Sequence, residues 1–506
     1  MIGDSDKLLQ HVFSFVPERE LYHCLFVQKK WMNLIKDPSF MVGRFLPYQI
    51  LEVYDRIAER PEGCPDYLKK DVFEIARKIQ HAFFGTEKSY DKYEGVISDK
   101  LQEVLFREYP LSPGRMDERF SSVKGMQLEY HKRSIQIKFQ DLPPSMERLH
   151  LVGNIEVQDS LADLPKGLRS FGISHFKRNS RFDLSKLPES LKHLDIMPGD
   201  LVDADFAAIK CSLNSLRLRM STRLTGLFLE KLSALSKLDL FKCSAIEDDG
   251  IYYLPPHLTV LRVSDCPSLT ERSLKYIGKL TQLKHLELTN INIDGSGLKS
   301  LPKSLSSLKL SLDSLGSEGL KGLKNHKSLR KLHLDYWTAK QVKAIQTLSS
   351  LTCLELYRSA MFGGIGVVRH SLPGLSSLTN LQTLRVKNGI GLNKLPQSLK
   401  LLSLSSCFIL DGDLSHIRSL EKLEKLYFFD CDGLRLSRQT VRKKFPNSLR
   451  RVTVSGCPNV KRLNLSFVTD QLLSISVDQG LVLREKVAQL LKKYPYLKIV
   501  EYTAHD

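Results

Sequence analysis

The amino-acid sequence predicts an α/β fold: a stack of about 16 coils that share one parallel, concave sheet, preceded by an all-α module and a helical connector. Three observations carry that expectation. A nine-residue phrase, clearest at Leu235 to Cys243 as LSKLDLFKC, returns from residue 146 to the C-terminus. Its copies start mostly 22 to 25 residues apart, the length of a strand plus a short return. The 506 residues exceed the size at which one globular core keeps growing, so the chain must divide or stack.

The first element covers residues 4–45. Leu8, Leu9, Val12, Phe13 and Val16 recur at helical spacing, and Pro17 breaks that helix. Leu21, Cys24, Leu25 and Val27 start a second, and Trp31, Leu34 and Ile35 continue into a third before Asp37-Pro38. Three such short helices make a very small core, which usually needs a partner over its apolar surface. These residues resemble an F-box. Leu8-Leu9, Val12-Phe13 and Val16-Pro17 match the L-L-x-x-I-F-x-x-L-P start of that family. Phe26-Val27-Gln28-Lys29-Lys30-Trp31 matches its L-V-C-K-x-W centre, and Asp37-Pro38 its D-P end. Ser5-Asp6 stands where Leu-Pro is usual, and Gln28 replaces the usual cysteine. The resemblance covers under a tenth of the chain. It implies docking on the Skp-family adaptor, and through it on the cullin, of a ubiquitin ligase. Leu8, Leu9, Val12, Phe13, Pro17, Leu21, Val27 and Trp31 would form or support that surface. The other reading of the same residues is a three-helix cap for the coils.

Residues 46–125 are expected as a helical connector. Ile50, Leu51, Tyr54, Ile57 and Ala58 suit one amphipathic helix; Leu68, Val72, Ile75, Ile79 and Phe83 suit a second, stopped at Gly85. A third is expected from Ser98 or Asp99 through Val104 and Phe106 to Tyr109-Pro110. In residues 126–145, Ile135, Ile137 and Phe139 alternate with polar residues and predict a strand that caps the first coil.

The coils occupy residues 146–506. The phrase L-x-x-L-x-L-x-x-C starts at Met146, Leu168, Leu191, Leu213, Leu235, Leu258, Leu283, Leu305, Leu329, Leu351, Leu381, Leu399, Leu423 and Leu449, and more weakly at Leu472 and Leu497. This is the leucine-rich-repeat pattern, of the cysteine-containing type familiar from F-box proteins, with some LPxSL copies. Its leucines face inward and its ninth residue turns under the strand. Five cysteines, Cys243, Cys266, Cys407, Cys431 and Cys457, hold that ninth place, where a small, weakly hydrogen-bonding side chain suits a buried turn. Thiols spent on packing, with no C-x-x-C pair, point to a reducing compartment. Some returns carry Leu-Pro before the strand, as at Leu164-Pro165 and Leu254-Pro255, where proline ends the return helix and sets an extended approach. Others, as at Leu280 and Leu348, lack it and are expected to hold longer helices. Leu483 to Lys493 predicts a helix before a last strand, Leu497 to Tyr502.

Lys and Arg outnumber Asp and Glu by 75 to 56, and about 18 of the 19 surplus positive charges lie after residue 140. The outward strand positions carry the expected substrate surface: Arg217, Arg219, Lys237, Phe241, Arg262, Lys331, Tyr336, Arg385, Lys387, Tyr427 and Phe429. Arg217, Lys237 and Arg262 are expected to form a positive ladder beside Phe241, suited to an acidic or phosphorylated protein segment. Interspersed Asp239, Glu287, Asp335 and Glu355 disfavour a nucleic-acid backbone. His285 and His333 are expected as exposed sheet residues. The glycine-rich stretch Met361 to Gly366, within a 359–378 loop, lacks the P-loop lysine and reads as a protruding loop.

No catalytic or metal constellation is found, so neither enzymatic activity nor a cofactor is expected. No apolar run is long enough for a membrane span, and the opening MIGDSDK is unlike a secretory signal. The function expected is that of a substrate-recognition subunit of a Skp-cullin-F-box ubiquitin ligase in the cytoplasm or nucleus. The alternative is a non-catalytic interaction scaffold, such as a bacterial effector in the host cytosol.

Overall fold

The computed structural model describes residues 81–84, 102–107, 122–176, 183–197, 199, 201–357, 369–436, 445–463, 465, 468–482 and 484–502. The F-box-like residues and the expected helix at residues 50–58 lie outside these. Two compact units divide the chain, Met1–Arg219 and Met220–Asp506.

The first unit contains the parallel strands β1 (His81–Phe84), β2 (Glu103–Arg107), β3 (Gly125–Ile137), β4 (Arg148–Val157), β5 (Ser170–Phe176), β6 (His193–Ile196) and β7 (Ser215–Arg219), each paired with the next. Two expectations are corrected here. His81–Phe84 and Glu103–Arg107 are strands of the sheet, not parts of connector helices. The capping strand around Ile135 is also not an edge, because β3 lies between β2 and β4. The cause is visible in the sequence: Ile79-x-x-Ala82-x-Phe84, Leu101-x-x-Val104-x-Phe106 and Val123-x-x-Met126-x-Leu128 are copies of the phrase with most of its leucines replaced. Its first two apolar positions are three apart, which is also a helical spacing, and no proline punctuates these copies. Val104, Phe106, Met126 and Leu128 are buried. Gly153, at φ +93°, permits the close approach of β4 to β3, since a Cβ there would meet the Tyr130 carbonyl oxygen at 2.0 Å.

In the second unit the strands β8 (Lys237–Phe241), β9 (Val260–Ser264), β10 (His285–Thr289), β11 (Ser307–Ser311), β12 (Lys331–Asp335) and β13 (Cys353–Tyr357) pair in sequence order. The ladder continues through β15 (Thr383–Lys387), β17 (Leu401–Ser405), β18 (Lys425–Phe429), β19 (Arg451–Ser455), β20 (Ser474–Asp478) and β21 (Lys498–Tyr502). Two short strands, β14 (His370–Ser371) and β16 (Gly389–Ile390), form a separate pair after the 358–368 segment. As the phrase requires, its first, fourth and sixth residues are buried, for example Leu258, Leu261 and Val263.

The eighth residue of the phrase holds the left-handed conformation in Lys242, Asp265, Asn290, Tyr336, Asn388, Ser406 and Asp430, with φ between 48° and 62°. Its N–H extends the ladder by donating to the seventh carbonyl of the next coil: Asp265 to Thr289 at 3.0 Å, Ser406 to Phe429 at 2.8 Å and Asp430 to Ser455 at 2.9 Å. Left-handed backbone costs an L-residue energy, which Asn and Asp bear best. The turn drives the ninth side chain inward. Cys243, Cys266, Cys407, Cys431 and Cys457 are all buried thiols, as expected. They donate weakly to strand carbonyls, Cys407 to Val386 and Cys431 to Leu404, both at 3.4 Å. The adjacent Cys407 thiol pushes Cys431 up to about 12.

Both kinds of return close alike. The N–H of the first phrase residue donates to the proline carbonyl in Leu-Pro coils (Leu258 to Pro255, 3.1 Å) and to the corresponding leucine elsewhere (Leu283 to Leu280, 3.0 Å). Proline thus follows an extended residue that ends the return, as expected, such as Leu164 at ψ 144°, and itself opens a tight turn into the strand. The serine of LPxSL donates to the coil before it, as Ser190 to Leu168 and Ser398 to Leu381 at 2.7 Å. Returns are short, from 3-10 turns such as Leu184–Lys186 to the helix Glu271–Ile277 in the coil that closes at Leu280 without a Leu-Pro pair. Near the C-terminus, helix Arg484–Lys493 precedes β21, as the sequence predicts.

Among the ninth residues of the second unit, Trp337 departs furthest from the small type. Trp337 is fully buried, and its indole N–H donates to the Lys387 carbonyl at 3.4 Å, bridging separate coils. Gly389 packs beside it: a Cβ there would lie 3.7 Å from the indole, an ordinary contact, and 3.0 Å from the Val386 Cγ1. Trp337→Ala is expected to destabilise the second unit by about 4 kcal/mol through the cavity it leaves. Denaturant unfolding of the variant checks this.

Candidate functional site

Because the strands of the second unit's main ladder are in register, equal phrase positions stand side by side, about 4.8 Å apart. The fifth residues point outward and read in order Asp239, Arg262, Glu287, Lys309, His333, Glu355, Arg385, Ser403 and Tyr427. Opposite charges alternate along this row and join. Glu287 takes both Arg262, at 3.5 Å, and Lys309. Glu355 takes Lys331 at 3.0 Å, His333 at 3.0 Å and Arg385 at 3.7 Å.

This register overturns the expected positive ladder. Lys237 is a third-position residue facing Val260, whereas Arg262 faces Asp239 on that neighbouring strand. Arg217 lies in the first unit, where it and Arg219 converge on Asp195. Arg219 forms the fork, with Nη2 at 2.6 Å from both carboxylate oxygens, and Arg217 reaches one of them at 3.4 Å. Phe241, half-buried at the end of β8, has the Lys242 ammonium 5.2 Å above its ring. Lys331 and Arg385 are partners of Glu355, as above. Tyr336 is also corrected: it occupies the left-handed turn beyond β12 rather than the outward strand face. Lys387 is exposed at the end of β15. Tyr427 and Phe429 stack, with centroids 6.2 Å apart and planes at 27°. The eight adaptor-docking residues and Met361 to Gly366 lie outside the described residues.

The feature that sequence reasoning missed is the centre at His333. His285 is exposed as expected, but His333 is buried and held on both ring nitrogens. Nδ1 lies 3.0 Å from Glu355 and Nε2 3.0 Å from Asp335, and the Tyr357 ring packs edge-on at 4.8 Å. Aligning the phrase puts His333 and Glu355 at the same position of consecutive coils, which was the available signal. Burial disfavours the charged imidazole, but the bonds to Asp335 and Glu355 prevail and raise His333 above 6.5. The His333 bond, opposed by burial and aided by Lys331, holds Glu355 down at about 2. Among the described residues, no group of three or more His, Cys, Asp or Glu side chains is placed to hold a metal ion, and no helix is long and apolar enough to cross a membrane.

A comparison with protein-family models gave no match, and neither did a comparison with curated protein sequences. Several solved structures resemble this chain at low identity. An internalin from Listeria monocytogenes is 18% identical over 59% of this chain and 88% of its own, with a TM-score of 0.39. A leucine-rich-repeat protein of Leptospira interrogans is 16% identical over 85% and 97%, with a TM-score of 0.41. A chain of the yeast complex of Rad7 and Elc1 is 17% identical over 71% and 91%, with a TM-score of 0.40. The leucine-rich-repeat fold of this chain stands on its own phrase, strand register and buried leucines.

The histidine centre sets a pH dependence. His333, raised, contributes stability that is whole below 6.5 and is lost as pH rises through its folded value. Glu355, lowered, contributes above 4.5 and loses this as pH falls toward about 2. The melting temperature of the second unit should therefore fall as pH rises above about 6.5, and His333→Gln should flatten that decline. Thermal melts of both proteins across this range check the expectation.

Proposed function

We propose that this chain is the substrate-recognition subunit of a Skp-cullin-F-box type ubiquitin ligase, without catalysis of its own, and that its repeats bind the protein to be ubiquitinated. The observation that carries the protein-binding half is the outward row from Asp239 to Arg385. Its cations are neutralised by carboxylates one strand away, as at Glu287 and Glu355. A row of alternating charge suits the mixed surface of a protein better than a polyphosphate, which favours unbroken basic charge. The ligase half rests on the F-box-like pattern of residues 6–38, and a cytoplasmic or nuclear site of action follows from it. If only the first half holds, the chain is an interaction scaffold.

Affinity purification of the full chain tests the reading, with Skp-family and cullin subunits as the expected co-purified proteins. Leu8→Ala with Pro17→Ala should weaken adaptor binding by about 2 kcal/mol per anchor while thermal unfolding of the repeats stays unchanged. Parallel loss of binding and stability would instead identify the N-terminal helices as a cap.

A further inference from the structure

The outward face of the second unit changes character after Arg385. The fifth-position row continues as Ser403, Tyr427, Thr453 and Ser476, and the seventh as Ser405, Phe429 and Ser455. Each ring of the stacked Tyr427–Phe429 pair thus has a small hydroxyl residue on both neighbouring strands. With strands about 4.8 Å apart, the rings form a ridge between two shallow troughs. Phe429 is 37% exposed and Tyr427 half-buried, so the edge of the ridge is open to solvent. Along one side, in the third position, Lys425 stands beside Arg451. On the other, Asp478 accepts from the Ser455 hydroxyl and the Gly456 N–H, both at 2.7 Å, so its carboxylate is engaged.

We propose that Tyr427 and Phe429 anchor an extended segment of a partner protein in which an aliphatic or aromatic residue is flanked by carboxylates. The apolar side chain lies in a trough against the rings, and an acidic neighbour faces Lys425 and Arg451. This rests on the reading of the repeats as protein-binding and specifies the bound chemistry. Exposed aromatics in a polar surround are the usual anchors of protein interfaces, and a cation beside them selects the sequence. A single-stranded nucleic acid would also stack on rings, but its phosphates need a basic track. The rows beyond the rings offer hydroxyls instead.

The test is fluorescence anisotropy of labelled peptides with the full chain. The probes are glutamate-flanked phenylalanine, lysine-flanked phenylalanine and glutamate-flanked alanine peptides, together with a labelled oligouridine. The glutamate-flanked phenylalanine peptide should bind best. Phe429→Ala should weaken it about tenfold or more, whereas Phe429→Leu should retain most of the affinity. Lys425→Glu with Arg451→Glu should transfer the preference to the lysine-flanked peptide, a gain that misfolding could not produce. Peptide binding that survives Phe429→Ala but is lost in Arg262→Glu with Lys309→Glu would overturn the inference and leave the protein-binding reading intact. Binding by no peptide would overturn it too, as would tighter binding of oligouridine that depends on Phe429.

Discussion

One backbone hydrogen bond organises the repeat sheet: the eighth N–H of a coil donating to the seventh carbonyl of the next. It requires a left-handed residue, and the chain accepts that cost even in Lys242, whose N–H donates to Ser264. Two things follow. Parallel pairing persists to the ends of the strands, so no register slip can exchange inward and outward side chains. The chain then turns inward, so the ninth side chain becomes core, as a thiol in five coils and as an indole at Trp337.

Fixed register makes the outward face a set of rows, and a charge there meets the same phrase position of the adjacent coil before it meets any partner. Asp195 holds two arginines of the first unit, and Glu287 and Glu355 hold cations on either side in the second. The surplus of 19 positive charges therefore does not become a basic field along the Asp239–Arg385 row. The outward face has two regimes, a self-paired charged stretch and a hydroxyl-lined stretch around Tyr427 and Phe429.

Much of this was legible in the sequence. The period, the buried leucines, the ninth-position cysteines and the closing helix and strand all follow from the apolar phrase. What failed did so for identifiable reasons. The strands at His81 and Glu103 were hidden because apolar residues three apart satisfy both a helix and the phrase. The positive ladder failed because Lys237 sits two places before the phrase position of Arg217 and Arg262. The burial of His333 depends on Glu355, Asp335 and Tyr357 closing round it from two strands, and no single coil contains that information. The left-handed position was half visible, since Asp265, Asn290, Asn388 and Asp430 occupy it, but Lys242, Tyr336 and Ser406 blur the signal.

The outward charges of the Asp239–Arg385 row are bonded to one another and belong to the structure before they belong to any ligand. The most direct test is a double-mutant cycle on His333 and Glu355 near pH 6, using His333→Gln, Glu355→Gln and the pair, read by denaturant unfolding. A coupling of about 1 kcal/mol or more is predicted, because each removal leaves the same interaction broken. Additivity to within about 0.3 kcal/mol would show that the two side chains do not interact and would contradict the account.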